Sequence, residues 1–250
     1  MARSNQPGSS RSYRANSGIS NHAMRVLMNE YQNLQKEPME GFKVKLGKDD
    51  NICEWEVTIF GPPDTIYAGG YFRALMKFPP EYPFQPPTVR FFNCLWHPNI
   101  YKNGTVCISI LHPPTDDPHS GELPCERWNP TQNAHSVLMS VISLLNEPNI
   151  NSAANVEASV TYRRWKENGD PEYVHRVKEN VESSRIEAVR DGVRIPTTIE
   201  DYCMKKSDSI TEAISNKGSA GDSEISYSDL GDIDENSIYT FSDDEEPTGL

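Results

Sequence analysis

The sequence predicts an α+β fold in which one helix is followed by a four-stranded antiparallel sheet and then by further helices. Three observations lead to this prediction. Four short runs with strand-like alternation follow one another in residues 42–92, helical periodicity dominates residues 20–37 and 130–190, and both ends of the chain are too polar to bury a core. Strands followed by helices, without regular alternation of the two, are typical of α+β proteins.

The first helix is predicted from Ser20 to about Glu37. Ser20 and Asn21 offer an N-cap, and Pro38 prevents the helix from continuing. One face carries apolar residues at helical spacing and should pack on the sheet. These residues are Met24, Leu27, Met28, Tyr31 and Leu34.

The sheet is predicted to be an antiparallel meander, because turn residues such as Gly61-Pro62-Pro63-Asp64 separate consecutive strand-like runs. Trp55, Val57 and Ile59 alternate with polar residues and should share one face. The four strands are predicted over residues 42–46, 53–60, 71–78 and 88–92.

A long irregular segment separates the sheet from the next helix. Residues 92–129 show no regular periodicity, and a loop of this length in a compact domain is usually functional. Helix is predicted to resume after Asn129-Pro130, as an N-cap followed by proline, and to stop at Pro148. Its buried stripe is predicted to be Val137, Leu138, Val141, Ile142 and Leu145.

Two more helices complete the predicted core. One covers about residues 153–167, half-buried through Val156, Val160, Tyr162 and Trp165, and the other runs from Gly169-Asp170-Pro171 to about Arg190. The predicted organisation is a disordered basic tail, a folded core, an extended connector and a disordered acidic tail. Their respective ranges are residues 1–19, 20–192, 193–206 and 207–250.

Charge is distributed unevenly along the 250 residues, whose formal net charge is −12. Residues 1–20 carry three arginines and no acidic residue, whereas residues 205–250 hold three lysines and twelve acidic residues, a net charge of −9. An acidic tail repels nucleic acid and attracts a basic protein surface. We therefore expect no nucleic-acid partner, and the simpler alternative is a tail that only aids solubility.

Cysteine usage and hydropathy indicate the compartment. No run of about 18 apolar residues is present, so no membrane span is expected, and residues 1–20 lack the apolar region of a secretory signal. The five cysteines are odd in number and irregularly spaced. This pattern favours reduced thiols in the cytoplasm and nucleus over a disulfide framework.

The segment richest in chemical information contains His97-Pro98-Asn99 and, after seven intervening residues, Cys107. A free cysteine is most often a buried apolar residue, so burial is the first interpretation. Cys107, however, follows a tight turn in irregular backbone rather than an apolar stripe. At neutral pH a thiol is only about a few per cent thiolate, yet that fraction is a competent nucleophile for thioester exchange.

This arrangement resembles the active-site signature of the ubiquitin-conjugating enzyme family. Three further motifs match the family in order across about residues 20–190, and together the four are highly specific. They are Tyr82-Pro83-Phe84-Gln85-Pro86-Pro87 before the fourth strand, Trp128-Asn129-Pro130 in the second loop, and Leu144-Leu145-Asn146-Glu147-Pro148-Asn149 at the end of the central helix. The resemblance implies the ubiquitin-conjugating (UBC) fold, with residues 20–192 as its catalytic core.

The segment between Cys107 and Trp128 is longer than the family minimum and rich in acidic residues. It resembles the acidic insertion of the long-tailed R class, which works with cullin-RING ubiquitin ligases. A sister class, called G, shares the insertion but lacks a long acidic tail. Residues 195–198, Tyr202-Cys203 and the acidic tail favour the R class.

The resemblance implies that Cys107 accepts ubiquitin as a thioester from an activating enzyme and passes it to lysine amines, building proteasome-targeting chains. ATP is used by the activating enzyme, so no bound cofactor and no metal are expected on this chain. Gly69-Gly70 also lacks the Lys-Ser/Thr of a phosphate-binding loop. The expected partners are ubiquitin, the activating enzyme, the RING subunit and cullin of a ligase, and protein substrates, with this protein acting as a monomer.

The resemblance also implies roles for the residues around Cys107. Asn99 is expected to donate a hydrogen bond to the tetrahedral oxyanion or to hold the loop that does so, with a plain turn residue as the alternative. His97 is expected to brace the loop. Ser152 takes a gate position where the family often has aspartate, and Tyr101 either gates the cleft or fills a surface groove.

Three protein-binding surfaces are expected from the same resemblance. A ligase should bind an exposed patch of Phe84, Trp128 and Pro130, although a core position for Trp128 is equally compatible with the sequence. Arg25 on the first helix should help to contact the activating enzyme. The acidic loop should orient the acceptor ubiquitin, or else be a solvated charged loop; its residues are Asp116, Asp117, His119 and Glu122. The tail should bind a basic groove on a cullin through Asp229, Asp232, Asp234, Glu235, Asp243, Asp244, Glu245 and Glu246.

Two other functions stay open at this level. Cys94, His97, Cys107 and His112 are residue types that bind zinc, although their spacing is uneven. A catalytically inactive ubiquitin-binding variant of the same fold is the other alternative, and the presence of Cys107 and Asn99 argues against it.

Overall fold

The computed structural model describes residues 18–93, 95–115 and 121–203, and the predicted α+β architecture is confirmed. The four strands form one antiparallel sheet in the order β1-β2-β3-β4. They are β1 (Phe42–Leu46), β2 (Glu54–Phe60), β3 (Tyr71–Lys77) and β4 (Thr88–Phe91). The helices are α1 (Asn21–Lys36), α2 (Ala134–Asn146), α3 (Val156–Asn168), α4 (Glu172–Arg190) and α5 (Ile199–Tyr202).

Helix α1 begins where the sequence predicts. The Oγ of Ser20 accepts a hydrogen bond from the N–H of Ala23 at 3.0 Å, which satisfies one of the unpaired N–H groups of the first turn. The helix buries Leu27 and Leu34 against the sheet. The predicted apolar face is therefore correct, and it anchors the first helix to the core.

The buried face of the sheet is the one that alternation predicts. Trp55, Val57 and Ile59 of β2 are at most 1% exposed. The ring of Trp55 lies 5.6 Å from that of Tyr31 and 4.6 Å from that of Phe78, and its Nε1 donates to the backbone oxygen of Ile52 at 2.8 Å. Burial of such large side chains supplies most of the energy that holds the layers together.

Helix α2 begins four residues later than the sequence predicts. The Oδ1 of Asn133 accepts from the N–H of Ser136 at 2.9 Å, and the Oγ of Ser136 accepts from the N–H of Asn133 at 3.0 Å. This reciprocal pair is a capping box. Asn129 instead closes a turn before the helix, because its backbone oxygen accepts from the N–H of Gln132.

Helix α3 matches the predicted half-buried face at Tyr162 and Trp165 but not at its two valines. Val156 and Val160 are 68% and 49% exposed, so their predicted half-buried position is wrong. Small side chains on the adjacent face let α3 approach its neighbours closely, while Tyr162 and Trp165 are partly buried beside Tyr173. The buried residues are Ala158, Ser159 and Thr161.

The connector after α4 packs onto the sheet. Val193, Ile195 and Tyr202 contact a second small apolar cluster formed by Phe60, Tyr71 and Ala188. Helix α5 inside this segment was not predicted, since it is a single turn whose N-cap is Thr198. The tails at residues 1–17 and 204–250 lie outside the described residues. Within the described residues, no helix is long and apolar enough to span a membrane.

Candidate active site

The loop after β4 returns along that strand and brings Cys107 to the end of the sheet. The N–H of Phe91 donates to the oxygen of Gly104 at 2.9 Å. Gly104 has φ +87°, and a Cβ there would lie 2.2 Å from the oxygen of Phe91, so this close approach requires glycine. The N–H of Cys107 then donates to the oxygen of Asn99 at 2.9 Å, which joins the two parts of the motif.

His97 is completely buried beneath this loop. Its Nε2 donates to the backbone oxygen of Leu144 at 2.9 Å, and its Nδ1 accepts from the N–H of Asn99 at 3.0 Å. Burial lowers the pKa of His97 to about 4, against the opposing effect of the Leu144 hydrogen bond, so the ring is neutral. The ring thus ties the loop to the end of α2.

The geometry of His97 also argues against the zinc alternative. A histidine ligand needs a nitrogen lone pair, and both ring nitrogens of His97 are already used in hydrogen bonds. Among the residues that the structure describes, no group of three or more possible ligands is suited to a metal ion. Cys94 lies outside those residues.

Asn99 holds the loop between α2 and α3. Its Nδ2 donates to the backbone oxygens of Asn149 at 2.8 Å and Ser152 at 3.0 Å, and its Oδ1 accepts from the N–H of Asn149 at 2.8 Å. Both N–H groups of the amide are therefore directed at the loop rather than toward Cys107. Of the two predicted roles, loop support is the one that this geometry serves, and Ser152 lies exposed on the loop that Asn99 holds.

A thiol, an imidazole and a carboxylate lie in a row at the mouth of the site. The Sγ of Cys107, which is partly exposed, lies 3.6 Å from the Nε2 of His112. The Nδ1 of His112 lies 2.8 Å from both carboxylate oxygens of Glu122. Because an ionised carboxylate only accepts hydrogen bonds, Nδ1 carries the proton when the ring is in its neutral form, and the lone pair of Nε2 then faces the sulfur.

Tyr101 lies on another side of the sulfur. Its hydroxyl points to the Sγ of Cys107 at 3.9 Å, and the ring is 44% exposed. Repulsion from a Cys107 thiolate is the main reason that the pKa of Tyr101 is raised, and the hydrogen bond to the sulfur adds to it. Tyr101 therefore borders the thiol at the surface, as the predicted gate would.

Comparison with known proteins identifies the family. The sequence model of the family "Ubiquitin-conjugating enzyme" matches residues 26–181. The chain belongs to the ubiquitin-conjugating enzyme family. It is 48% identical over 167 residues to ubiquitin-conjugating enzyme E2 13 of Arabidopsis thaliana, covering 67% of this chain and 98% of that protein. It is 49% identical over 148 residues to ubiquitin-conjugating enzyme E2 7 of Triticum aestivum, covering 59% of this chain and 85% of that protein.

A solved structure, that of human ubiquitin-conjugating enzyme E2 G1, is 44% identical and covers 52% of this chain and 100% of that chain, with a TM-score of 0.46. The match to the family's sequence model and the Arabidopsis relative confirm the predicted family and the predicted ubiquitin-conjugating activity. This ubiquitin-conjugating enzyme has ubiquitin, an activating enzyme and ligases as its general partners, since these define the family's reaction.

In this ubiquitin-conjugating enzyme, Glu122 faces inward. Besides His112, its carboxylate accepts from the Oγ of Ser109 at 2.9 Å and pairs with the Nη2 of Arg127 at 3.2 Å. Burial raises the pKa of Glu122, but the hydrogen bonds from His112 and Ser109 and the charges of His112 and Arg127 outweigh it and hold the pKa below its ordinary value. The predicted role of Glu122 in orienting an acceptor is therefore revised, because its side chain is only 13% exposed.

Of the other predicted surface residues, Phe84 and Pro130 are exposed, with Phe84 at 62%. Trp128 is 1% exposed, and its Nε1 donates to the oxygen of Pro83 at 2.8 Å, so it occupies the core position and leaves the predicted patch. Sequence reasoning grouped His112 with Cys107 only in the zinc alternative and gave it no catalytic role, because a histidine five residues from a cysteine is a weak signal. The remaining acidic-loop residues, Asp116, Asp117 and His119, lie outside the described residues.

Proposed function

We propose that Cys107 is the residue on which this enzyme carries ubiquitin as a thioester. The observation that supports it most directly is the position of its sulfur. The thiol is partly exposed at the end of the loop that His97 and Asn99 brace, and it contacts an imidazole and a phenol. By contrast, Cys53 is buried in the core. The enzyme needs no cofactor of its own, because ATP is consumed by the activating enzyme.

Incubation with ubiquitin, activating enzyme and ATP tests this proposal. The wild-type protein should form an adduct on a non-reducing gel that a thiol reductant removes. Cys107→Ser should abolish this thiol-sensitive adduct, whereas Cys125→Ser, which changes an exposed cysteine between Glu122 and Arg127, should load like wild type. A thiol-sensitive adduct of normal yield on Cys107→Ser would refute the proposal.

We further propose that the enzyme builds polyubiquitin chains together with a cullin-RING ligase. The tail's net charge of −9 suits capture by a basic groove, and such complementary fields raise association rates by roughly 10- to 10³-fold at low salt. The exposed Phe84 and Pro130 offer an apolar contact for the RING subunit. Asp116 and Asp117 in the acidic loop orient the acceptor ubiquitin.

The role of the acidic loop predicts a selective defect. The double variant Asp116→Asn and Asp117→Asn should load ubiquitin at the wild-type rate but build chains more slowly, about 10-fold or more, because acceptor orientation affects only the second step. Glu179→Gln with Glu182→Gln removes the same charge from the exposed surface of α4 and should leave both steps unchanged. An equal loss of loading and chain building in the first variant would contradict the orienting role.

A further inference from the structure

In the row formed by Cys107, His112 and Glu122, only Cys107 has a proposed role in the reaction so far. The Sγ of Cys107 lies 3.6 Å from the Nε2 of His112, and the Nδ1 of His112 lies 2.8 Å from the carboxylate of Glu122. These distances allow a proton to pass between the thiol and the imidazole. A nucleophile, a base that contacts it and a group that orients the base are the general signature of an activated nucleophile. The row therefore calls for a chemical explanation rather than a packing one.

We propose that His112 is a catalytic residue that takes the proton of Cys107, and that Glu122 is the positioning residue that aims it. This inference rests on the proposed function, in which Cys107 carries the thioester. In loading, the S–H proton passes to the Nε2 of His112 while the sulfur attacks the carbonyl carbon of the ubiquitin thioester on the activating enzyme. A new C–S bond forms, the old one breaks, and the departing thiolate takes up the proton from the imidazolium.

The same contact balances the protons when ubiquitin is discharged. The lysine nitrogen attacks the thioester carbon, the C–N bond forms, and the C–S bond to Cys107 breaks. The sulfur leaves as a thiolate, one amine proton passes to the Nε2 of His112, and from there it returns to the sulfur. For a lysine that attacks as the neutral amine, the thiol and the neutral imidazole are restored, and this step consumes no outside acid or base.

The surroundings hold the His112 ring in one orientation. Its backbone oxygen accepts from the N–H of Trp128 at 3.1 Å. Glu122 is held in turn by Ser109 and by Arg127, whose side chain is only 7% exposed and whose Nη1 donates to the oxygen of Thr115 at 3.1 Å. One ring nitrogen is thereby committed to the carboxylate, and the other is left facing the thiol.

A comparison with His97 shows why the proton role belongs to His112. His97 is fully buried and uses both ring nitrogens in hydrogen bonds to the backbone. The side chain of His112 is 31% exposed and has one nitrogen against the reacting sulfur. Among the residues that the structure describes, the charged and titratable side chains around the pair are Glu122 at Nδ1, Arg127 beside Glu122, and Tyr101, whose hydroxyl faces the sulfur.

The first test uses the wild-type protein and iodoacetamide, with alkylation of each cysteine followed by mass spectrometry between pH 6 and pH 9. Cys125 is exposed and serves as the internal reference. Because an unassisted thiol is only about a few per cent thiolate at neutral pH, Cys107 should react several-fold faster than Cys125 at pH 7, within a limit of roughly 30-fold. Parallel pH profiles for the two cysteines would overturn the proposal.

The second test uses variants. His112→Gln keeps a donor toward Glu122 but removes the basic nitrogen, and it should slow alkylation of Cys107 at pH 7 by about 10-fold, with most of the rate recovered at pH 9. Glu122→Gln should cause a smaller decrease of the same kind. His135→Asn, which removes an exposed imidazole on α2, should change nothing, and Cys125 should react equally in all four proteins.

Each outcome separates this inference from the proposed function. Unchanged Cys107 alkylation in His112→Gln, together with normal ubiquitin loading, refutes the proton role and leaves Cys107 as the thioester site. Thiol-sensitive loading that survives Cys107→Ser refutes the thioester site itself. A structural role of His112 would alter loading by the large ubiquitin donor without altering the pH profile toward a small reagent.

Discussion

At the scale of single residues, His97 and Asn99 use their hydrogen-bonding groups inside the protein. Each connects the loop before Cys107 to the helical layer, His97 to the end of α2 and Asn99 to the loop that follows α2. Leaving such a buried group without its partner costs about 1–3 kcal/mol. The position of the sulfur is therefore coupled to the stability of the core.

His97 should make the free energy of unfolding decrease with falling pH. Burial lowers its pKa to about 4 in the folded protein, whereas a histidine in the unfolded chain has a pKa of about 6.5. Between these values the unfolded state binds a proton that the folded state does not. The contribution of neutral His97 to the free energy of unfolding is thus complete above about pH 6.5. It decreases by roughly 3 kcal/mol as the pH approaches 4, because each unit of difference in pKa corresponds to about 1.4 kcal/mol.

Urea unfolding at several pH values checks this prediction, with His97→Gln as the comparison. Glu30, whose pKa burial raises, and Glu122, whose pKa is lowered, titrate in both proteins, so the difference between the two isolates His97. The variant should be less stable at pH 7 but should lose less stability on acidification. Identical pH dependence of the two proteins would show that His97 is not the group responsible.

At the scale of elements, the start of α2 shows how a cap is selected. Asn129-Pro130 and Asn133 both offer an N-cap, and the structure uses Asn133 because Ser136 lies at the position that completes the capping box. The turn at Asn129 then leaves Pro130 at the surface, while Trp128 points inward. The helix start thus determines which residues of this loop a ligase can reach.

Replacing each asparagine in turn should show whether Asn129 or Asn133 caps helix α2. Asn133→Ala should lower the free energy of unfolding by about 1 kcal/mol, the usual contribution of an N-cap side chain. Asn129→Ala should have a smaller effect, because that side chain closes an exposed turn through its contacts with Thr131. Chemical denaturation of both variants provides the measurement. The reverse order of effects would place the helix start at the earlier position.

At the scale of the whole molecule, the folded unit includes the segment after α4. Phe60 and Tyr71 belong to a small apolar cluster that is separate from the main core. Three side chains of this segment pack against it, namely Val193, Ile195 and Tyr202. Arg194 pairs with Asp201 across the same segment at 3.1 Å. We infer that residues 193–203 are part of the stable domain rather than a free connector.

Truncation tests this inference about the domain boundary. A protein ending at residue 203 should unfold like the full chain and load ubiquitin normally, because it keeps the side chains of residues 193–203 that cover the second apolar cluster. A protein ending at residue 192 should be less stable by roughly 2 kcal/mol or more, since apolar side chains that are worth about 1.5–3 kcal/mol each when fully buried lose their cover. Thermal unfolding compares the two, and equal stability would show that the segment contributes nothing.

Local periodicity determined the elements of this protein. The meander, the buried face of β2 and the first helix follow from alternation, helical spacing and turn residues, which act between near neighbours in the chain. The order of the motifs also sufficed for the family and singled out Cys107. These features need no knowledge of the distant chain, because each depends on residues that are close in sequence.

Only the tertiary structure decided which polar groups meet around the sulfur. His112 and Glu122 come together because Arg127 and Trp128 fasten an irregular loop, whose backbone no periodic pattern describes. Packing likewise decided the burial of Trp128 and the exposed side of α3. Side-chain contacts between irregular segments depend on the path of the whole loop. The sequence therefore shows which polar residues could lie near Cys107, and only the fold determines which of them contact it.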